Sequence, residues 1–154
     1  MPNTPSSQSV YKAYNRASHT VGKTRQVVML YDGAIRFLKQ AREDMVAGNI
    51  EGRFNKLVRV GEIIMGLQSC LDFDSGGESA KVLYSFYSGI DMRIISLHRT
   101  NSVEVCDQVI NDLKEMRDVW DKIDRGDATP NAMAATTSEP ETPPASVDPI
   151  TVSA

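Results

Sequence analysis

The chain has 154 residues, a mass of 17.0 kDa and a formal net charge of −3. That length suits one domain with a single core. The charge argues against a basic nucleic-acid binder, and no apolar run is long enough to span a membrane. The seven prolines are Pro2, Pro5, Pro130, Pro140, Pro143, Pro144 and Pro149. None lies between Ser6 and Thr129, as an all-helical domain allows and a loop-rich β domain rarely does.

Residues 1–9 are rich in Pro, Ser and Asn and are expected to be disordered. No apolar core of a leader peptide appears in them, which points to a cytoplasmic protein. Val10, Tyr11, Tyr14, Ala17 and Val21 then mark a short apolar-spaced segment ending at Gly22. Alone it is too short for a stable helix, so it must dock or stay mobile.

The first strong helix is predicted over 24–47. Val27, Leu30, Ala34, Leu38, Ala41 and Met45 form one stripe, with Val28, Tyr31 and Ile35 beside it. Gly48 reads as its left-handed stop and Asn49 as the next N-cap. A second helix is predicted over 50–73 through Phe54, Leu57, Val60, Ile64, Leu67 and Leu71. The Asp72–Gly77 stretch breaks it. Ser75 and Glu78 have capping-box spacing for a third helix over 77–99, with Leu83, Phe86, Ile90, Ile94 and Leu97 on its face. Asn101 and Glu104 repeat that spacing for a fourth over 102–124, through Val103, Cys106, Ile110, Leu113, Met116, Trp120 and Ile123. Short connections imply an antiparallel up-down four-helix bundle over 10–125. The Ala/Thr/Pro-rich acidic tail, 126–154, is expected to be disordered.

Residues 1–59 carry 10 basic and 4 acidic groups, and residues 60–125 carry 7 and 12. This split fits complementary packing of two helical halves, or else a charged partner face. Cys70 and Cys106 fall on apolar stripes and read as small core residues. His19 and His98 are the only histidines. With no metal-ligand spacing, no phosphate loop and no nucleophile constellation, neither a metal, a cofactor nor an enzyme is expected. A phosphotransfer domain would show His-x-x-Lys-Gly; here Arg99, Thr100 and Asn101 follow His98. Surplus apolar residues, including Val82, Tyr84, Tyr87, Met92 and Ile95, suit a partner groove or a broad bundle core.

Leu30-Tyr31-Asp32-Gly33-Ala34-Ile35, followed by Phe37-Leu38 and Ala41, resembles the signature of the flagellin-specific export chaperones, the FliS family. Tyr11 and Tyr14 are similar to that family's N-terminal tyrosine pair. Leu71-Asp72 leading to Gly76-Gly77-Glu78, with Leu83 and Tyr87, resembles its second block, and Trp120 its late tryptophan. Two departures stand out. Gly22-Lys23-Thr24 replaces the proline that often precedes helix one, and the long tail exceeds the compact family pattern.

The resemblance implies a cytosolic type III secretion chaperone. It would bind the C-terminal segment of flagellin, prevent premature polymerisation and deliver the client to the export gate. Neither nucleic acid nor membrane insertion is implied, and a homodimer stays open. Partner binding would fall to Tyr11, Tyr14, Val21, Leu30, Tyr31, Ala34, Ile35 and Tyr87. The 10–21 segment would be a displaceable cap on an apolar groove, or else a permanent strap. On periodicity alone, Leu30, Tyr31, Ala34 and Ile35 read as bundle core, and a generic helical scaffold or oligomerisation module is the rival reading.

Overall fold

A computed structural model describes the backbone of residues 7–129 and the side chains of residues 22–129. It is an all-α bundle of four helices: α1 (Ser7–Ala47), α2 (Ile50–Ser69), α3 (Phe73–Thr100) and α4 (Val103–Asp124). Helix α1 packs against α2 and α4, and α3 against α2 and, over a smaller area, α4. This leaves α1 and α3 on a diagonal. Neighbouring helices run antiparallel, as the short connections require.

The core follows the predicted stripes. Leu38, Ala41, Leu57, Val60, Ile90, Leu97, Cys106 and Leu113 lose all solvent contact. Each fully buried leucine or isoleucine contributes about 1.5–3 kcal/mol of transfer free energy, which offsets the loss of chain entropy on folding. Leu30 and Phe54 are exceptions. Both sit on the predicted stripes, yet both are exposed. The buried arc of α1 is centred between its two stripes, and that rotation turns Leu30 outward.

Three helix boundaries differ from the sequence expectation. First, α1 passes through Gly22 and begins at Ser7, so the expected docking segment and α1 form one continuous helix. A lone Gly costs a helix about 1 kcal/mol against Ala, which does not by itself terminate it. Second, the N-cap of α3 is Asp72, whose carboxylate accepts from the N–H groups of Asp74 (3.0 Å) and Ser75 (3.2 Å). Ser75 turns its hydroxyl to Asp72 and so forms no capping box with Glu78. One turn later Gly77 interrupts the helix at φ 52°, ψ −131°. Third, Ser102 caps α4 by accepting from Val105 N–H at 3.3 Å, while Asn101 is the left-handed end of α3 at φ 51°. The capping pair is displaced by one residue from the predicted one. At the first turn the sequence expectation holds: Gly48 is left-handed (φ 72°) and Asn49 accepts from Gly52 N–H at 3.0 Å.

The charge split resolves partly along the α1–α4 seam. Arg25 reaches Asp121 at 3.1 Å, Arg42 grips Asp107 at 2.6 and 3.1 Å, and in the opposite sense Arg117 grips Asp32 at 2.8 and 3.3 Å. Arg93 ties α3 to Asp112 of α4 at 2.6 Å. The bidentate guanidinium holds the Asp107 carboxyl below the usual carboxylate range.

Candidate functional site

Tyr31, Ala34, Ile35 and Tyr87, expected at a partner surface, all lie in the buried core. Leu30 is 41% exposed and stands on the surface. The side chains of Tyr11, Tyr14 and Val21 lie outside the described residues, as does the 130–154 part of the tail.

Tyr31 and Tyr87 meet across the diagonal of the bundle. The Tyr31 hydroxyl donates to the Tyr87 hydroxyl at 2.9 Å, and both side chains are essentially inaccessible. Burial pushes both phenols up. Tyr31 rises well above its ordinary value, and Tyr87 to about 12. The Trp120 indole leans toward Tyr31 closely enough to oppose part of that rise. Yet the buried Trp120 Nε1 completes no hydrogen bond among the described residues. The pair joins α1 to α3 across the diagonal of the bundle.

Two apolar surface patches stand out among the described residues. The first is a groove of about 500 Å³ between α1 and α2, lined by Met29, Leu30, Gly33, Phe37 and Ile63 with Gln26 and Arg36 at its edge. A methyl group on Gly33 would stand 3.7 Å from Ile63 Cδ1, an ordinary contact. Close helix approach therefore does not explain this glycine; the residue leaves the groove floor open.

The second is the outer seam of α2 and α3. Phe54, Val58 and Met65 recur at spacings of four and seven along α2, so they share a face. Tyr84, Met92 and Ile95 line the facing side of α3. Met65 is 69% exposed, Met92 68%, Phe54 53% and Ile95 52%, high for large apolar groups. The seam is pinned at both ends. Gln68 donates to Ser88 Oγ at 3.0 Å, and Phe54 packs edge-on to His98 with ring centroids 5.3 Å apart. Arg53 donates to Asn101 Oδ1 at 2.6 Å and to the His98 carbonyl at 3.2 Å. Partial burial, then the nearby Arg53 cation, lowers the pKa of His98. Tyr84, Met92 and Ile95 stand out in the sequence as surplus apolar residues, whereas Phe54 falls on a core stripe and Val58 and Met65 fall on none.

The cysteines part ways. Cys106 is buried, donates to the Leu38 carbonyl at 3.6 Å and has its thiol pushed up to about 11 by burial. Cys70 is exposed at the α2–α3 turn, contrary to its expected place in the core. It is the C-cap of α2, one residue past the end of the helix at Ser69. No cluster of His, Cys, Asp and Glu able to hold a metal ion occurs among the described residues. No described helix is long and apolar enough to cross a membrane.

An apolar seam on a rigid antiparallel bundle is a surface for protein segments. The family model for "Flagellar protein FliS" matches residues 7–127, nearly all of the described fold. The chain belongs to the FliS family. It is 35% identical over 97 residues to the flagellar secretion chaperone FliS of Vibrio cholerae, covering 63% of this chain and 71% of that one. It is 28% identical over 115 residues to its Campylobacter jejuni counterpart, covering 73% and 89%. For Salmonella typhimurium the figures are 29% over 98 residues, 63% and 73%. FliS membership makes this a flagellar secretion chaperone fold with a flagellar protein as partner.

Proposed function

We propose that this protein binds the C-terminal segment of flagellin in the cytoplasm, keeps it from polymerising and presents it to the flagellar export gate. The α2–α3 seam, with its exposed Phe54, Met65, Met92 and Ile95, is the observation that carries this reading beyond the family. Amphipathic segments that assemble a filament are apolar on one face. A rigid apolar seam covers such a face and removes it from competition. Methionines at 65 and 92 suit the task because their unbranched, polarisable side chains repack against irregular surfaces. The α1–α2 groove around Leu30 gives a second place for the same segment to continue. Ordering the client consumes part of the contact energy, so a long interface stays releasable.

Titration with a peptide of the C-terminal segment of flagellin from the same organism tests this. A 1:1 gain of helix by circular dichroism, with filament assembly blocked, supports it. No binding at tens of micromolar (a Kd weaker than roughly 10⁻⁴ M) overturns it.

A further inference from the structure

Contacts at the two ends of the α2–α3 seam fix its register. Gln68 meets Ser88 near one end, and Phe54 meets His98 near the other. On α2, Phe54, Gly61 and Gln68 follow at intervals of seven, so Gly61 lies midway on the same face. On α3, Ser88, Asp91, Ile95 and His98 recur at spacings of three and four, so Asp91 shares the face that meets α2. In this antiparallel register the level of Gly61 falls between Asp91 and Ile95, within about 3 Å of each along the axis.

Two observations single out this level. A methyl group on Gly61 would meet nothing within 4 Å, so the surface of α2 is open there. Asp91 is half-buried, yet it makes no hydrogen bond or ion pair among the described residues. The arginines of these two helices that lie closest in sequence have partners of their own. Arg93 holds Asp112 of α4 at 2.6 Å, and Arg59 holds Glu62 at 3.2 Å. An unmatched carboxylate therefore stands in a seam whose exposed groups include Met65, Met92 and Ile95.

In the free chain water solvates this carboxylate. A segment laid along the seam removes that water, and a covered carboxylate without a counter-charge is strongly unfavourable. The seam thus selects against a partner face that is apolar throughout and favours one that brings a cation to this level. We propose that the helical segment bound in the seam places a Lys or Arg side chain over Gly61 and pairs it with Asp91. The missing side chain at Gly61 gives the long cationic stem its passage. Such a pair adds little net affinity, but it fixes the register of the bound segment along the seam and excludes misaligned ones. The inference rests on the function proposed above and adds the chemistry that the client must carry.

The probe is again a peptide of the C-terminal segment of flagellin from the same organism, titrated calorimetrically into the full chain and its variants. Asp91→Asn should leave the melting temperature unchanged, because the carboxylate has no partner to lose. It should weaken peptide binding about tenfold or more, because the cation of the client is then buried unpaired. Replacing each Lys and Arg of the peptide in turn by Gln should reveal one position whose loss is not additive with that of Asp91→Asn. Binding unchanged by Asp91→Asn overturns the proposal. So does tighter binding, the sign expected when an unmatched carboxylate is relieved, and so does additivity at every cationic position. A parent chain that binds no peptide sinks the proposed function and this inference together, whereas the preceding outcomes sink this inference alone. Two rival occupants have their own signatures, and either overturns the proposal. A fall in melting temperature shared non-additively by Asp91→Asn and Lys12→Gln or Arg16→Gln gives the carboxylate to the chain's own N-terminal segment. A change in sedimentation of the peptide-free chain on Asp91→Asn gives it to a second copy.

Discussion

The two buried tyrosines show how strongly a single polar atom acts inside an apolar core. Tyr31 donates and Tyr87 accepts, so removing one hydroxyl strands the other. Tyr31→Phe or Tyr87→Phe alone is expected to cost about 1–3 kcal/mol, whereas Tyr31→Phe with Tyr87→Phe should cost less than the two single changes together. Chemical denaturation of the four variants measures this directly. His98 illustrates a milder effect at the surface. Its folded pKa lies below the ordinary value near 6.5 because of partial burial and the Arg53 cation. A depressed folded pKa means that its contribution to stability is present above pH 6.5 and is lost as pH falls through the folded value. An NMR titration should give a midpoint below that of free histidine, and Arg53→Gln should move it upward.

Individual helices obey local rules that the sequence displays unevenly. Gly33 and Gly77 both lie within the bounds of helices, yet they should respond to alanine with opposite signs. At Gly33 the backbone is regular and the space is adequate, so Gly33→Ala should stabilise the fold by up to about 1 kcal/mol. It should also narrow the α1–α2 groove. At Gly77 nothing crowds a side chain, but φ 52° with ψ −131° suits only glycine. Gly77→Ala should therefore cost about 1–3 kcal/mol, and thermal melting of both variants checks the pair. Apolar spacing made the helices and most core residues legible in advance. The starts of α3 and α4 were less so, because several neighbouring residues could serve as caps. Asp72 precedes Ser75, and Ser102 follows Asn101; only the path of the chain selects between them. The rotation of each helix about its axis was similarly hidden. It decides that Leu30 and Phe54 face outward while Tyr87 faces in.

Across the whole molecule, the site depends on how α2 and α3 sit together. Val58 and Met65 could not be assigned to a surface from α2 alone, since an exposed methionine and a buried one look alike in sequence. Once the helices are paired, the seam can be tested without harming the core. Met65→Asp is expected to leave the melting temperature nearly unchanged, within about 0.5 kcal/mol of stability, because the side chain is already exposed. The same change should weaken binding of the flagellin peptide by about tenfold or more if Met65 anchors it. Isothermal titration of the variant and the parent compares the two.

The hydroxyl pair on the bundle diagonal also makes the fold legible to light. A phenol absorbs near 295 nm only when ionised, and a free tyrosine ionises near pH 10. Tyr31 and Tyr87 are held above that, Tyr87 to about 12. Their contribution to stability is complete below pH 10 and disappears as pH rises through the folded values. In an alkaline jump their absorbance should lag behind that of accessible phenols and appear only as the bundle opens. The delay is an unlabelled clock for the separation of α1 from α3, and adding a bound segment should lengthen or shorten it according to whether the segment holds those helices together or prises them apart.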